Sequence, residues 1–169
     1  KLMLMNAGAT FYHEEQVVDE GGTLEGLQIF IRPEQGGLKP DVQFHQFDEV
    51  FSINKWRKIA GLSNDYPLTI RSNIWLMDMR LGKGKQTILP EPQASDVAFL
   101  FYVFAGKVKV GDNIFLERGD SMLIEVERPL FLALETSDRV LFITQTTATH
   151  FDDGMYSGNQ KQRQVMVSG

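Results

Sequence analysis

Residues 97–104 (VAFLFYVF) are eight apolar or aromatic residues without a charge, rich in β-forming side chains. The run is too short for an ordinary helix and is closed by Gly106, so it reads as a strand covered on both faces. Residues 107–110 (KVKV) then alternate, which predicts one wet face and one buried face. Gly111-Asp112-Asn113 supplies a tight turn, residues 114–117 (IFLE) a third strand, and Arg118-Gly119-Asp120 another turn. Strand, turn, strand, turn, strand predicts a β-meander at the middle of a sandwich or barrel.

The same reading along the rest of the chain predicts strands over residues 1–6, 27–32, 42–47, 56–60, 68–71, 74–81 and 86–89. After the meander come 121–126, 130–136 and 139–146, divided by Arg128-Pro129 and by Ser137-Asp138. Residues 33–40 (PEQGGLKP) and 90–96 read as loops from their prolines and glycines. From Ala148 the chain turns polar, with one further strand possible over 164–167. No segment sustains a 3.6-residue apolar period. Many short strands at roughly 8–12-residue spacing predict an all-β sandwich or barrel. Expected inward side chains include Phe99, Phe101, Val108, Val110, Leu123, Leu132 and Phe142.

Composition narrows the class. The chain has 169 residues, 43% hydrophobic and 11% aromatic, enough for a sizeable core. Its net charge of −5, from 17 basic and 22 acidic residues, argues against a nucleic-acid partner. No run approaches the ~18 apolar residues of a membrane span. There is no cysteine, which excludes disulfides and thiolate ligands and fits a cytoplasmic location. The chain opens on Lys1 and enters an apolar stretch at Leu2 at once, which reads as the interior of a longer protein.

Chemistry-bearing residues are few. The histidines are His13, His45 and His150. In an extended segment residues i and i+2 share a side, so His13 and Glu15 can offer a nitrogen and an oxygen to one metal. The same spacing also describes a polar pair on a rim. His45 alternates with Phe44 and Gln46 as a surface strand residue would. No phosphate-cradling glycine loop precedes a helix; Gly82-x-Gly84 is turn chemistry.

Three blocks in order carry a family resemblance. Ala7-Gly8 followed by His13-x-Glu15 resembles the pirin family's A-G-x-G-x-x-H-S-E signature. Residues 27–34 (LQIFIRPE) resemble its L-Q-x-W-x-x-P strand, and residues 36–40 (GGLKP) resemble its loop before the next strand. Thr10 stands where the family has its second glycine, and Glu14 replaces serine. The remainder resembles the C-terminal cupin of quercetinase-like pirins.

The resemblance implies a cupin fold, a double-stranded β-helix or jelly-roll barrel, together with a partial second cupin. Residues 1–48 would end an N-terminal cupin, 49–147 would form the C-terminal barrel, and 148–169 a polar tail. It implies that His13 and Glu15 are two of four metal ligands, with Glu15 also a candidate catalytic base. The other two ligands would be an H-x-H pair about 40–50 residues before Ala7, an offset that follows the family's layout and the lengths of barrel strands. The cofactor would be iron or another divalent metal in the full-length parent and none in this chain alone.

The second barrel is expected to lack ligands, since residues 82–105 and 121–149 contain no histidine. The implied activity is that of a quercetin 2,3-dioxygenase-like oxygenase on a small aromatic, flavonol-like substrate, with this chain inactive alone. The alternative is a non-catalytic binding or transcription-coregulator module of the pirin type. The three strands of residues 1–48 cannot close a barrel. They are expected to pack on the second barrel, to pair with another copy as a homodimer, or to pair with an upstream segment.

Overall fold

The computed structural model describes residues 2–7, 14, 21–23, 25–92 and 94–147. These fall into two compact units. Residues 2–4 and 43–147 form one; 5–7, 14, 21–23 and 25–42 belong to the other.

Among the described residues the regular structure is all β. Two short strands, β1 (Leu2–Asn6) and β2 (Asp41–His45), form a two-stranded sheet. The larger unit holds ten more: β3 (Arg57–Gly61), β4 (Leu68–Thr69), β5 (Ile74–Leu81), β6 (Gln86–Thr87), β7 (Val97–Ala105), β8 (Lys107–Val110), β9 (Ile114–Glu117), β10 (Ser121–Ile124), β11 (Phe131–Ala133) and β12 (Ser137–Gln145). They build a six-stranded sheet in the order β10-β7-β12-β5-β3-β4 and a four-stranded sheet in the order β6-β11-β8-β9. Every pairing is antiparallel except β3 with β4.

The central run is not a meander. β7 lies in the six-stranded sheet beside β12 and β10, whereas β8 and β9 pair in the other sheet. The chain leaves β7, turns a corner at Gly106, makes the β8–β9 hairpin, and returns at β10 to lie against β7. Strands that change sheet in this way make the jelly-roll barrel instead of a flat ribbon. Gly106 permits the corner: its φ is +79°, and a Cβ there would fall on the Thr136 carbonyl oxygen and 2.8 Å from Ser137 Cα.

The core lies between the inner faces of the two sheets. Trp75, Met77, Phe99, Phe101, Leu141 and Ile143 come from one sheet; Val108, Val110, Leu116 and Phe131 come from the other. Each such side chain contributes about 1.5–3 kcal/mol by leaving water. β7 buries the Phe99, Phe101 and Val103 face along its length and the other face only at Ala98, since Leu100 is exposed and Tyr102 and Phe104 are half-buried.

Of the expected inward residues, Phe99, Phe101, Val108 and Val110 are buried. Leu123, Leu132 and Phe142 are not; their neighbours Ile124, Phe131, Ala133, Leu141 and Ile143 point inward instead. A one-residue change of phase turns every side chain of a strand to the other face. Leu123→Ser is therefore expected to change stability by no more than about 0.5 kcal/mol. Ile124→Ala is expected to cost about 2 kcal/mol or more. Urea denaturation of both variants checks the phase, and equal losses would contradict it.

Two other expectations fail. No strand forms over residues 27–32: Leu27, Ile29 and Phe30 are exposed, so no buried alternate face sets a strand's phase, and no described strand pairs with this segment. Ser137-Asp138 does not divide two strands but begins β12, paired to Leu81 and Arg80 of β5. The segment possible over residues 164–167 lies outside the described residues.

Ion pairs on the outer face of the large sheet anchor residues 47–54. Arg57 grips Asp78 through Nε to Oδ1 at 2.9 Å and Nη2 to Oδ2 at 2.6 Å, and donates from Nη1 to the Glu49 carbonyl at 2.7 Å. Its guanidinium lies 4.0 Å from the Phe47 ring centroid. Arg80 makes the same two-pronged contact with Asp138, both bonds 2.5 Å, while Phe51 covers its guanidinium at 3.2 Å. Paired, aromatic-capped arginines hold fixed geometry because the planar fork matches the carboxylate. No helix among the described residues is long and apolar enough to cross a membrane.

Candidate functional site

The candidate ligands His13 and Glu15 lie outside the described residues, as does His150. Glu14 between them is described and exposed. Among the described residues no group of three or more His, Cys, Asp or Glu stands close enough to hold a metal. His45, on β2, is half-buried with its ring edge-on to Phe47, centroids 4.4 Å apart and planes at 77°, so its contact is aromatic.

The other candidate is the interior of the barrel. The alternation that buries Leu141 and Ile143 on β12 also turns Ser137 and Arg139 inward. Aromatic packing fills the middle: Phe101 of β7 and Phe131 of β11 stack with centroids 4.4 Å apart and planes at 24°. Ring stacking of this kind adds to the burial term.

One cation breaks the apolar lining. Arg139 is 1% exposed, and its guanidinium carbon stands 5.6 Å from the Phe101 ring centroid. Nη2 donates to Ser137 Oγ, itself fully buried. Nε and Nη1 are buried and meet no hydrogen-bond partner. Its strand neighbours are Met79 of β5 and Val103 of β7, at a point where the β7–β12 register slips between Asp138 and Arg139. Burial lowers its pKa to about 10, against an upward pull from the adjacent Asp138. Arginine thus remains a cation at neutral pH. The Asp138 carboxylate is committed to Arg80, whose pKa it raises. Among the described residues, Trp75 Nε1 is the third buried donor atom without a partner, beside the two of Arg139.

Sequence reasoning missed Arg139 because a charged residue in a strand is ordinarily the outward one. The usable signal was the pair Arg139 and Asp138: only one of two adjacent strand residues can face out, and Arg80 is placed to claim the aspartate.

Known structures share this architecture. The bacterial pirin YhhW from Escherichia coli, in complex with nickel(II), is 18% identical, aligns over 67% of this chain and 47% of its own, and gives a TM-score of 0.56. A second structure of YhhW from Escherichia coli is 20% identical over 70% of this chain and 49% of its own, at 0.57. The chain has a pirin-like cupin fold. Quercetin 2,3-dioxygenase from Acinetobacter baumannii shares it, at 20% identity over 80% of this chain and 51% of its own, with a TM-score of 0.57. The chain spans about half the length of these structures, between 47% and 51%. No protein-family model matches it, and no curated protein matches it.

Proposed function

We propose that this chain is part of a longer pirin-like cupin protein that acts as a quercetin 2,3-dioxygenase-like oxygenase. His13 and Glu15 would join an upstream H-x-H pair as ligands of iron or another divalent metal. A metal held by histidines and one carboxylate supplies open positions for a substrate oxygen or O₂. Glu15 would serve as ligand and as base toward a flavonol-like hydroxyl. The cupin fold shared with a nickel-bound pirin and a quercetin dioxygenase carries this reading, together with the ordered motif blocks at residues 7–15, 27–34 and 36–40. The described residues offer no ligand group of their own, so the metal reading rests on His13 and Glu15.

This chain alone is expected to be inactive, because two protein ligands are fewer than the three plus water of a common catalytic site. The test is oxygen uptake with quercetin, comparing the 169-residue chain with a longer protein carrying the upstream H-x-H, each given iron. Uptake by the longer protein alone is the expected result; uptake by neither would remove the oxygenase reading. In that case the non-catalytic reading takes its place, as a binding or transcription-coregulator module.

A further inference from the structure

We propose that the interior of the barrel is a binding site for a small oxyanion, held by Arg139 and Ser137. The buried guanidinium carries a full positive charge that no described carboxylate neutralises, since Asp138 is taken by Arg80 on the opposite face of the strand. Three of its five N–H hydrogens, those on Nε and Nη1, have no partner. A buried charge persists when it is paired and hydrogen-bonded; arginine has no neutral form to retreat to near pH 7. Water would satisfy the donors but not the charge. An oxyanion satisfies both, and its paired oxygens match the planar fork. Ser137 Oγ, which accepts from Nη2, keeps its own hydrogen to donate to the same anion.

The surroundings set the ligand's size. Met79 and Val103 stand opposite Arg139 on the two flanking strands, and the Phe101 ring centroid lies 5.6 Å from its guanidinium carbon, so an anion in this apolar setting is a few heavy atoms across, such as formate or nitrate. Met79, opposite Arg139 on β5, is unbranched and can adjust its rotamer to a neighbouring group. The register slip beside Arg139 fits a site, because bulges re-aim side chains next to binding positions. The site lies in the barrel that lacks histidine, so it stands or falls independently of metal at His13 and Glu15.

The experiment is thermal melting of the 169-residue chain in sodium formate, sodium nitrate and sodium chloride at matched ionic strength, with Arg139→Met alongside. A saturable rise in melting temperature with formate or nitrate, absent in chloride and absent in the variant, is expected. A rise with formate alone identifies a carboxylate; an equal rise with nitrate identifies any small oxyanion. Identical curves in all three salts, or an unchanged response in Arg139→Met, would overturn the proposal. Should the variant fail to fold, the side-chain ¹⁵Nε resonance of Arg139 in the parent chain decides. It should move saturably on formate or nitrate addition and stay fixed in chloride; no movement in either anion would overturn the site.

Discussion

Gly106→Ala should cost the larger unit about 4 kcal/mol or more, against the 5–15 kcal/mol that holds an ordinary domain folded. Two effects add. The residue sits at φ +79°, where an L side chain costs about 1–2 kcal/mol. The added methyl would also meet the Thr136 carbonyl oxygen and Ser137 Cα, which are backbone atoms of the segment entering β12 and cannot swing away. Relief would require β12 to move, and β12 pairs with both β5 and β7. A fall in melting temperature of about 10 °C or more is expected for a chain of this size. Gly111→Ala is the control: its φ is +55°, with nothing within 4 Å of the new methyl, so it should cost only about 1 kcal/mol. Equal melting of the two variants would remove the steric part of the account.

Phe101→Ala is the other large effect. The side chain is fully buried and stacked on Phe131, so truncation removes its transfer energy and leaves a cavity between two sheets that hold each other in place. The expected cost is about 3–5 kcal/mol, read from denaturant midpoints. Phe131→Ala should cost a similar amount. The double variant should cost less than the sum, because the stack of about 0.5–1.5 kcal/mol is lost only once. Strict additivity would mean that the rings do not interact, and a cost below about 1 kcal/mol would mean that Phe101 is not in the core.

The strands were legible where the polar pattern punctuates them. β5 runs over residues 74–81 as read, and β8 and β9 are bounded by Gly106, Gly111 and Gly119, residues whose positive φ a turn can use. What sequence could not supply was the partner of each strand. Ala105-Gly106 reads as a hairpin, but a corner between sheets uses the same residue types; the difference lies in Thr136 and Ser137, thirty residues away.

Facing failed for a different reason. In residues 140–143 (VLFI) both parities are apolar, so the phase has to come from Arg139. Assigning that arginine to solvent points Phe142 inward; the structure buries Arg139 and points Phe142 outward. The buried guanidinium is where local rules fail, and such conflicts concentrate at functional positions. The segment over residues 27–32 failed on context: its LQIFIR pattern is strand-like, yet a strand exists only where a neighbour accepts its hydrogen bonds. The candidate metal pair was legible only through resemblance, since an H-x-E spacing alone does not distinguish a ligand pair from a rim.

The central claim is that His13 and Glu15 are half of a metal site completed by an upstream H-x-H. Elemental analysis of purified protein tests it most directly, on the 169-residue chain, on a longer protein carrying that pair, and on the longer protein with His13→Ala. The account predicts substoichiometric metal in the short chain, one iron-like ion per longer chain, and loss of most of that metal in the variant. A stoichiometric metal in the short chain, or an unchanged content in His13→Ala, would contradict it.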